Sequence, residues 1–248
     1  MRIRIFDDEE EEILPRKGKE KGFIVPYFED YDDKQMWMSY WHQINEVFKT
    51  GGKKLLVVGI GNKTVPNYLK TVSEYLEHRK FEVTTADIDE NLNPDFICDV
   101  SELSECFDSE SFDTILCAEV LEHLPFEKFE RSLEELYKVS GKWVVLSLPY
   151  AGYGFRLSLE LPNCGKKDFT LKIPQREKHI YDGWHRWEIG KKGYSREKVT
   201  EIIKKNYQIV RNYSPPENMN QLFFVLKKRN KKNLKPKDKK GTDSENNT

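Results

Sequence analysis

Between Leu55 and Leu148 the apolar residues fall into short dense runs separated by stretches where they recur every third or fourth position. The runs are 54–58, 81–86 (FEVTTA), 95–98, 112–118 (FDTILCA) and 142–148 (KWVVLSL). Runs apolar on both faces belong inside a parallel sheet. The helical spacing between them is carried by Val65, Leu69, Val72 and Leu76, then by Phe126, Phe129, Leu133, Leu136 and Tyr137. Pro66 fits a first turn, where its missing N–H costs nothing. Pro125 opens the second helix, Gly141 is expected to stop it, and a short helix is predicted at 101–107. Upstream, Met36, Tyr40, Ile44, Val47 and Phe48 predict a helix over 34–48, whose apolar face Trp37 and Trp41 widen.

Downstream the pattern breaks. Residues 151–193 hold prolines, glycines and many aromatics and are expected to form a long irregular insertion of the kind that is often functional. Ser195 caps a following helix that carries Val199, Ile202 and Ile203. Two last strands, 207–213 and 221–227, are joined by SPPENMN, too short for a parallel return, so they run antiparallel. The predicted fold is α/β: a mostly parallel seven-stranded sheet with helices on both faces and an antiparallel last strand.

Composition changes this picture mainly at the ends. The chain has 248 residues, 33% of them charged, with a net charge of −1. Residues 7–12 are DDEEEE, and 227–240 carry nine Lys or Arg against one Asp. Such blocks stay solvated. The expected organisation is an acidic arm over 1–29, a domain over 30–228 with its insertion at 151–193, and a basic, polar, disordered tail over 229–248. Near-neutral charge gives no strong field toward nucleic acid. No apolar run approaches the ~20 residues that span a bilayer. Cys98, Cys106, Cys117 and Cys164 form no CxxC pair, which reads as reduced, buried thiols in a cytoplasmic protein.

The chemistry gathers at strand ends. LLVVGIGNKTV, residues 55–65, runs from a strand through Gly59-x-Gly61 into a helix. Glycine lets a ligand approach the backbone, and a helix start adds unpaired N–H groups. Asp87 follows the next strand, where a carboxylate can accept two hydrogen bonds from a ribose diol; an ordinary solvated strand-end acid is the alternative. A dinucleotide fingerprint would need glycine at Thr64, and no Walker lysine is present.

The VGIG turn, the DID after the second strand, CDV at residues 98–100 and above all CAEVLEHLP at 117–125 resemble class I S-adenosylmethionine-dependent methyltransferases. The resemblance covers most of 55–227. It implies S-adenosylmethionine as cofactor, with Gly59 and Gly61 under its methionine part. Asp87 would lie on the ribose, Ile88 against the adenine, Asp99 at the adenine amino group with Val100 beside it, and Glu119 would face cofactor and substrate. Two positions depart from the pattern: Val57 stands where an acid is usual, and Lys63 where a third glycine is common.

A methyltransferase needs no obvious catalytic residue, because its main task is orientation. Where the acceptor is a hydroxyl, a base helps. His78 reads as solvated. His123 is either catalytic or a structural hydrogen-bonder in the EVLEHLP turn. His179 and His185 fall in the insertion, with His185 the first choice for a base. No companion spacing supports a metal site. Ser147-Leu148-Pro149-Tyr150 is unlike the Asn-Pro-Pro-aromatic motif of amino-directed nucleic-acid methyltransferases. The expected reaction is methyl transfer to oxygen of a small-molecule, lipid or glycan acceptor. The alternatives are a non-catalytic cofactor-binding relative, an RNA-directed enzyme using the basic tail, and a nicotinamide oxidoreductase on the same sheet.

Overall fold

The structure is a computed structural model that describes residues 34–75, 80–161, 165–181 and 183–229. The acidic arm, Leu76, His78, Cys164 and the basic tail beyond Arg229 lie outside the described residues. The first half runs α1 (Lys34–Thr50), β1 (Lys54–Val58), α2 (Thr64–Tyr75), β2 (Glu82–Asp87), β3 (Phe96–Ile97), α3 (Leu103–Cys106), β4 (Phe112–Ala118), α4 (Phe129–Val139) and β5 (Ser140–Pro149). After it come β6 (Tyr153–Leu161), β7 (Gly165–Ile173), α5 (Arg196–Asn206), β8 (Tyr207–Tyr213) and β9 (Gln221–Lys228).

The strands β1 to β5, β8 and β9 form one seven-stranded sheet in the order β3-β2-β1-β4-β5-β9-β8. Pairings among β1 to β5 are parallel, and β9 is antiparallel to both β5 and β8, as the short 214–220 connection requires. Alternate residues of each strand serve opposite cores. Leu56 and Val58 pack with Ile115, Leu133, Leu136 and Ile203 beneath α4 and α5. Leu55 and Val57 pack with Tyr40, Val65, Leu69 and Val145 beneath α1 and α2. The chain order reverses between β1 and β4, and ligands of such sheets bind outside the carboxyl ends of the strands at that reversal.

α1 is tied to the far edge of the sheet by polar contacts. The buried Glu46 accepts from Tyr213 Oη at 3.0 Å, pairs with Lys49 at 3.1 Å and is bridged by Arg211. His42 Nδ1 meets the same Tyr213 hydroxyl at 3.1 Å, and burial lowers the His42 pKa. Trp37 and Trp41 do not widen the packed face as expected: they are 41% and 53% exposed.

Three further expectations are corrected. Gly141 does not stop a helix; α4 ends at Val139 and Gly141 lies within β5, against the Phe112 carbonyl. Cys98 and Cys106 are not reduced thiols but a disulfide joining the residue after β3 to the end of α3, while Cys117 is a buried free thiol. The insertion is not irregular throughout. β6 and β7 pair as an antiparallel ribbon in which Tyr153, Phe155 and Leu157 lie opposite Ile173, Leu171 and Phe169. All six are exposed, forming one apolar face of the ribbon.

After the ribbon the chain returns to the sheet. Tyr150 bridges Ile189 in parallel, and Trp187 is fully buried, edge-on to Phe126 and Phe129. This aromatic group fixes residues 185–189 over the carboxyl ends of β4 and β5. No helix among the described residues is long and apolar enough to cross a membrane. Trp187→Ala should cost about 3–5 kcal/mol through the cavity it leaves, measured as a lower midpoint in urea unfolding.

Candidate functional site

The turn after β1 is held both by its neighbours and by its own residues, Lys63 N–H donating to the Ile60 carbonyl at 2.8 Å. Gly59 N–H donates to the Ala86 carbonyl at 2.9 Å, and Ile60 N–H donates to Asp87 Oδ2 at 2.8 Å. Asn62 bridges outward: its Nδ2 donates to Tyr40 Oη at 2.9 Å and its Oδ1 accepts from Thr64 N–H at 3.1 Å, at the start of α2. The two glycines answer different needs. Gly59 has φ of 75°, and a Cβ there would lie 2.2 Å from Val120 Cγ2. Gly61 has φ of 47° and opens on space, with nothing within 4 Å of a Cβ. A ligand therefore has room over Gly61, while Gly59 is required by the end of β4. Lys63 holds a left-handed φ of 66° that glycine would adopt without strain. Val57, where an acid was expected, is 2% exposed and belongs to the core.

Asp87 has two tasks. Besides Ile60 N–H it accepts Asp89 N–H on Oδ1 at 3.0 Å, stapling the turn to the end of β2. Each carboxylate oxygen has a second lone pair, so capacity for a diol remains. Beside it Ile88 is 68% exposed, an apolar surface. Asp99 Oδ1 accepts Ser101 N–H at 2.8 Å, capping the short turn that follows. Val100 is buried in the core, so its side chain is turned from any ligand.

At the end of β4 the EVLEH segment makes a tight turn. Glu119 takes φ of 55°, costly for a non-glycine residue and characteristic of sites where function sets geometry. Its N–H donates to the Ser147 carbonyl at 3.1 Å and its Oε1 accepts from Ser147 Oγ at 2.9 Å. Burial pushes its carboxyl up to about 7, against the opposing pull of the Ser147 hydrogen bond and the His185 charge. Glu122 is fully buried, and among the described residues neither of its carboxyl oxygens has a hydrogen-bond partner. Burial, and then the charge of Glu119, hold its carboxyl well above the ordinary range.

Residues 179–188 fold over this turn. Arg186 N–H donates to the Glu122 carbonyl at 2.8 Å and Arg186 Nε to the His123 carbonyl at 3.0 Å. His123 Nδ1 meets the Trp184 carbonyl at 2.9 Å, and His185 Nδ1 meets Glu188 Oε1 at 2.9 Å. The hydrogen bond from His185 is the main reason the Glu188 carboxyl titrates low. His179 Nε2 lies 2.8 Å from the His185 carbonyl and so supports the loop. The His123 and His185 rings sit with centroids 5.4 Å apart. Thus Glu119, His123 and His185, named from sequence, converge. Glu122, Glu188 and Ser147 were missed. The signal for the first two was present: a second acid three residues after Glu119, and an acid three residues after His185.

Residues 56–144 match the family model described as a methyltransferase domain. No curated protein matches the chain. Among solved structures it is similar to magnesium protoporphyrin IX methyltransferase from Synechocystis PCC 6803 with bound S-adenosylhomocysteine, at TM-score 0.54 and 12% identity over 84% of this chain and 90% of that one. It is also similar to an S-adenosylmethionine-dependent methyltransferase from Mesorhizobium loti, at TM-score 0.50 and 13% identity over 80% of this chain and 100% of that one. At such identities the likeness establishes the fold.

Two substitutions in the turn should move stability in opposite directions. Gly59→Ala drives a methyl into Val120 and should destabilise by about 1–3 kcal/mol, in the range of overpacked cores. Lys63→Gly relieves a left-handed residue, worth roughly 1–2 kcal/mol, less about 0.5–1 for glycine's entropy, and should stabilise slightly. Thermal unfolding of both variants checks the pair.

Proposed function

We propose that this chain, a class I S-adenosylmethionine-dependent methyltransferase, transfers a methyl group to a hydroxyl oxygen of a small-molecule, lipid or glycan acceptor. The observation that carries the reading is the pair of acids at the end of β4, the partly buried Glu119 with its carboxyl raised to about 7 and the buried Glu122 beside it. A hydroxyl must lose its proton as it is methylated, and a base with pKa near the working pH serves that step best.

The residues fit the cofactor. Gly61 leaves open space beside the turn, Asp87 retains acceptor capacity, and Ile88 offers an exposed apolar face. In this reading Gly59 and Gly61 underlie the methionine part, Asp87 accepts the ribose hydroxyls, and Ile88, Asp99 and the Val100 backbone receive the adenine. The bound sulfonium supplies an electrophilic methyl group. The chain's own work is to orient the acceptor and exclude water, worth about 7–11 kcal/mol in favourable cases. Two groups can take the acceptor's proton. One is Glu119, whose Oε1 is fixed by Ser147; the other is His185, whose Nδ1 is engaged by Glu188. His123 lines the exposed side of the same floor.

Cytoplasmic location belongs to this reading, and the Cys98–Cys106 bridge opposes it, since such bonds persist mainly in oxidising compartments. Val57 and Lys63 motivate the second reading, a cofactor-binding relative without activity.

Calorimetry should show S-adenosylhomocysteine binding at micromolar strength, no heat with NAD, and at least tenfold weaker binding in Asp87→Ala. A folded protein giving no heat with S-adenosylhomocysteine defeats both readings.

Turnover should rise with pH through about 7 as Glu119 loses its proton, and Glu119→Gln should flatten that rise. Stability should run the other way. The native carboxyl holds its proton more tightly than the unfolded one, so this contribution is complete below 4.5 and lost as pH climbs through about 7. Urea unfolding of wild type and Glu119→Gln between pH ~4.5 and ~7.5 reads the difference.

A further inference from the structure

We propose that Glu122, His123 and His185 form a binding site for a first-row divalent cation such as Zn2+, open on one side to an oxygen of the acceptor. Ligand atoms from the three residues all lie within 4.8 Å of one another, and His123 Nε2 is 4.0 Å from Glu122 Oε1. Proximity alone is weak, because acidic and histidine groups often cluster at surfaces. Two further observations give this cluster its direction.

The first is Glu122 itself. Its side chain is fully buried at the inner end of the cluster, and among the described residues neither carboxyl oxygen has a hydrogen-bond partner. A buried charge without a partner is costly, and protonation would still leave a buried O–H to satisfy. The described neighbours that act electrostatically on the Glu119–Glu122 pair are Glu188 and His185, with the Cys117 thiol close by. Among the described residues none of them hydrogen-bonds the Glu122 carboxyl. A cation supplies the missing partner directly.

The second is the state of the two rings. His123 Nδ1 faces the Trp184 carbonyl at 2.9 Å, and His185 Nδ1 faces the Glu188 carboxylate at 2.9 Å. A carbonyl and a carboxylate only accept, so each Nδ1 carries its proton and the ligand role falls to Nε2 in both rings. Metal-binding histidines are oriented in this way, by a carbonyl or carboxylate on the other nitrogen. Two imidazoles and one carboxylate, with further positions left to water or substrate, form a known donor set for catalytic Zn2+. Metal–ligand bonds of about 2.0–2.2 Å place tetrahedral ligand atoms roughly 3.3 Å apart. The cluster must therefore contract slightly, and the half-exposed His123 side chain can supply that movement.

The expectation from sequence of no metal site rested on the lack of companion spacing around His179 and His185. The fold supplies the companions from the turn after β4, some sixty residues earlier, where His123 already contacts the insertion. His179 is not part of the set; it holds the His185 carbonyl.

The link to the acceptor rests on the methyl-transfer reading. With His185 Nε2 committed as a ligand, Glu119 remains as the group that takes the proton. A hydroxyl bound to the cation has its pKa lowered, which eases that loss. The acceptor class this favours is an alcohol or phenol whose oxygen reaches the open side of the cation.

The test uses the full chain stripped with EDTA and titrated with Zn2+, and separately with Mn2+, by calorimetry in two buffers of different ionisation heat. The result expected is one equivalent bound, proton release on binding and a raised melting temperature. Glu122→Gln and His123→Gln should each weaken binding at least 100-fold, and Glu188→Gln by roughly 10–100-fold. His123 is exposed enough that its variant should fold whatever happens to Glu122→Gln, and circular dichroism confirms this for each. A folded wild type that binds neither cation overturns the proposal, as does binding unchanged in His123→Gln. S-adenosylhomocysteine titrated into the same samples reads the transferase assignment independently, so loss of either binding leaves the other interpretable.

Discussion

Two carboxylic acids lie at the end of β4 where the protein offers them few partners, and the architecture around them follows from accommodating that. Glu119 occupies a left-handed backbone position and is held from β5 by both the carbonyl and the hydroxyl of Ser147. Glu122 is enclosed completely. Such a turn persists only if its surroundings over-determine it. Val120, between the acids, fills the space that a side chain at Gly59 would need, so the turn after β1 and the turn after β4 fix each other. The Ile60 N–H bond to Asp87 adds the end of β2 to the same unit. The three strand ends that surround the topological reversal are thereby one mechanical piece.

The insertion closes this piece from above. Trp187 anchors it against Phe126 and Phe129, and the Arg186 backbone and side chain bind the carbonyls of Glu122 and His123. Its histidines and Glu188 are placed by those contacts together with the bridge of Ile189 to the end of β5. Apolar packing here supplies stability, and the polar set above it pays in desolvation for reactivity. A domain holds only about 5–15 kcal/mol in reserve. The dense aromatic packing next to the acids is therefore what makes the poorly partnered Glu122 carboxyl tolerable.

Much of the sheet was legible in the sequence because its strands are apolar on both faces, and the helices because their apolar positions recur at helical spacing. The strand order could be read only through resemblance, although the antiparallel last pair followed from the length of SPPENMN. The ribbon of β6 and β7 was hidden although its alternation was present. Tyr153, Phe155 and Leu157 alternate with Gly154, Arg156 and Ser158. Among prolines and glycines this looked like a loop, because its apolar face has no core to serve and remains exposed. The disulfide was hidden because an eight-residue separation has no motif. At the site, a motif could name Asp87, Glu119 and His123, but not that Val100 turns inward or that Asp87 first serves the backbone. Glu122 sat inside the most specific motif and still went unread, since burial without a partner is a property of the fold.

The departures at Val57 and Lys63 gain a physical account from the same geometry. Val57 is packed between Leu55, Tyr40 and Val65 in the core under α1, so an acid there would face apolar side chains unless α1 moved away. α1 cannot easily move, because Glu46, Tyr213 and Arg211 fasten it to β8 and Asn62 fastens it to the turn through Tyr40. The usual acid has thus been exchanged for packing that locks a capping helix onto the sheet. Lys63 keeps the left-handed backbone that glycine would supply, so the path of the turn is preserved even though its residue is not. Both changes leave Gly61 opening on space and Asp87 with acceptor capacity. Under the proposed reading, the features a nucleoside would meet are therefore retained.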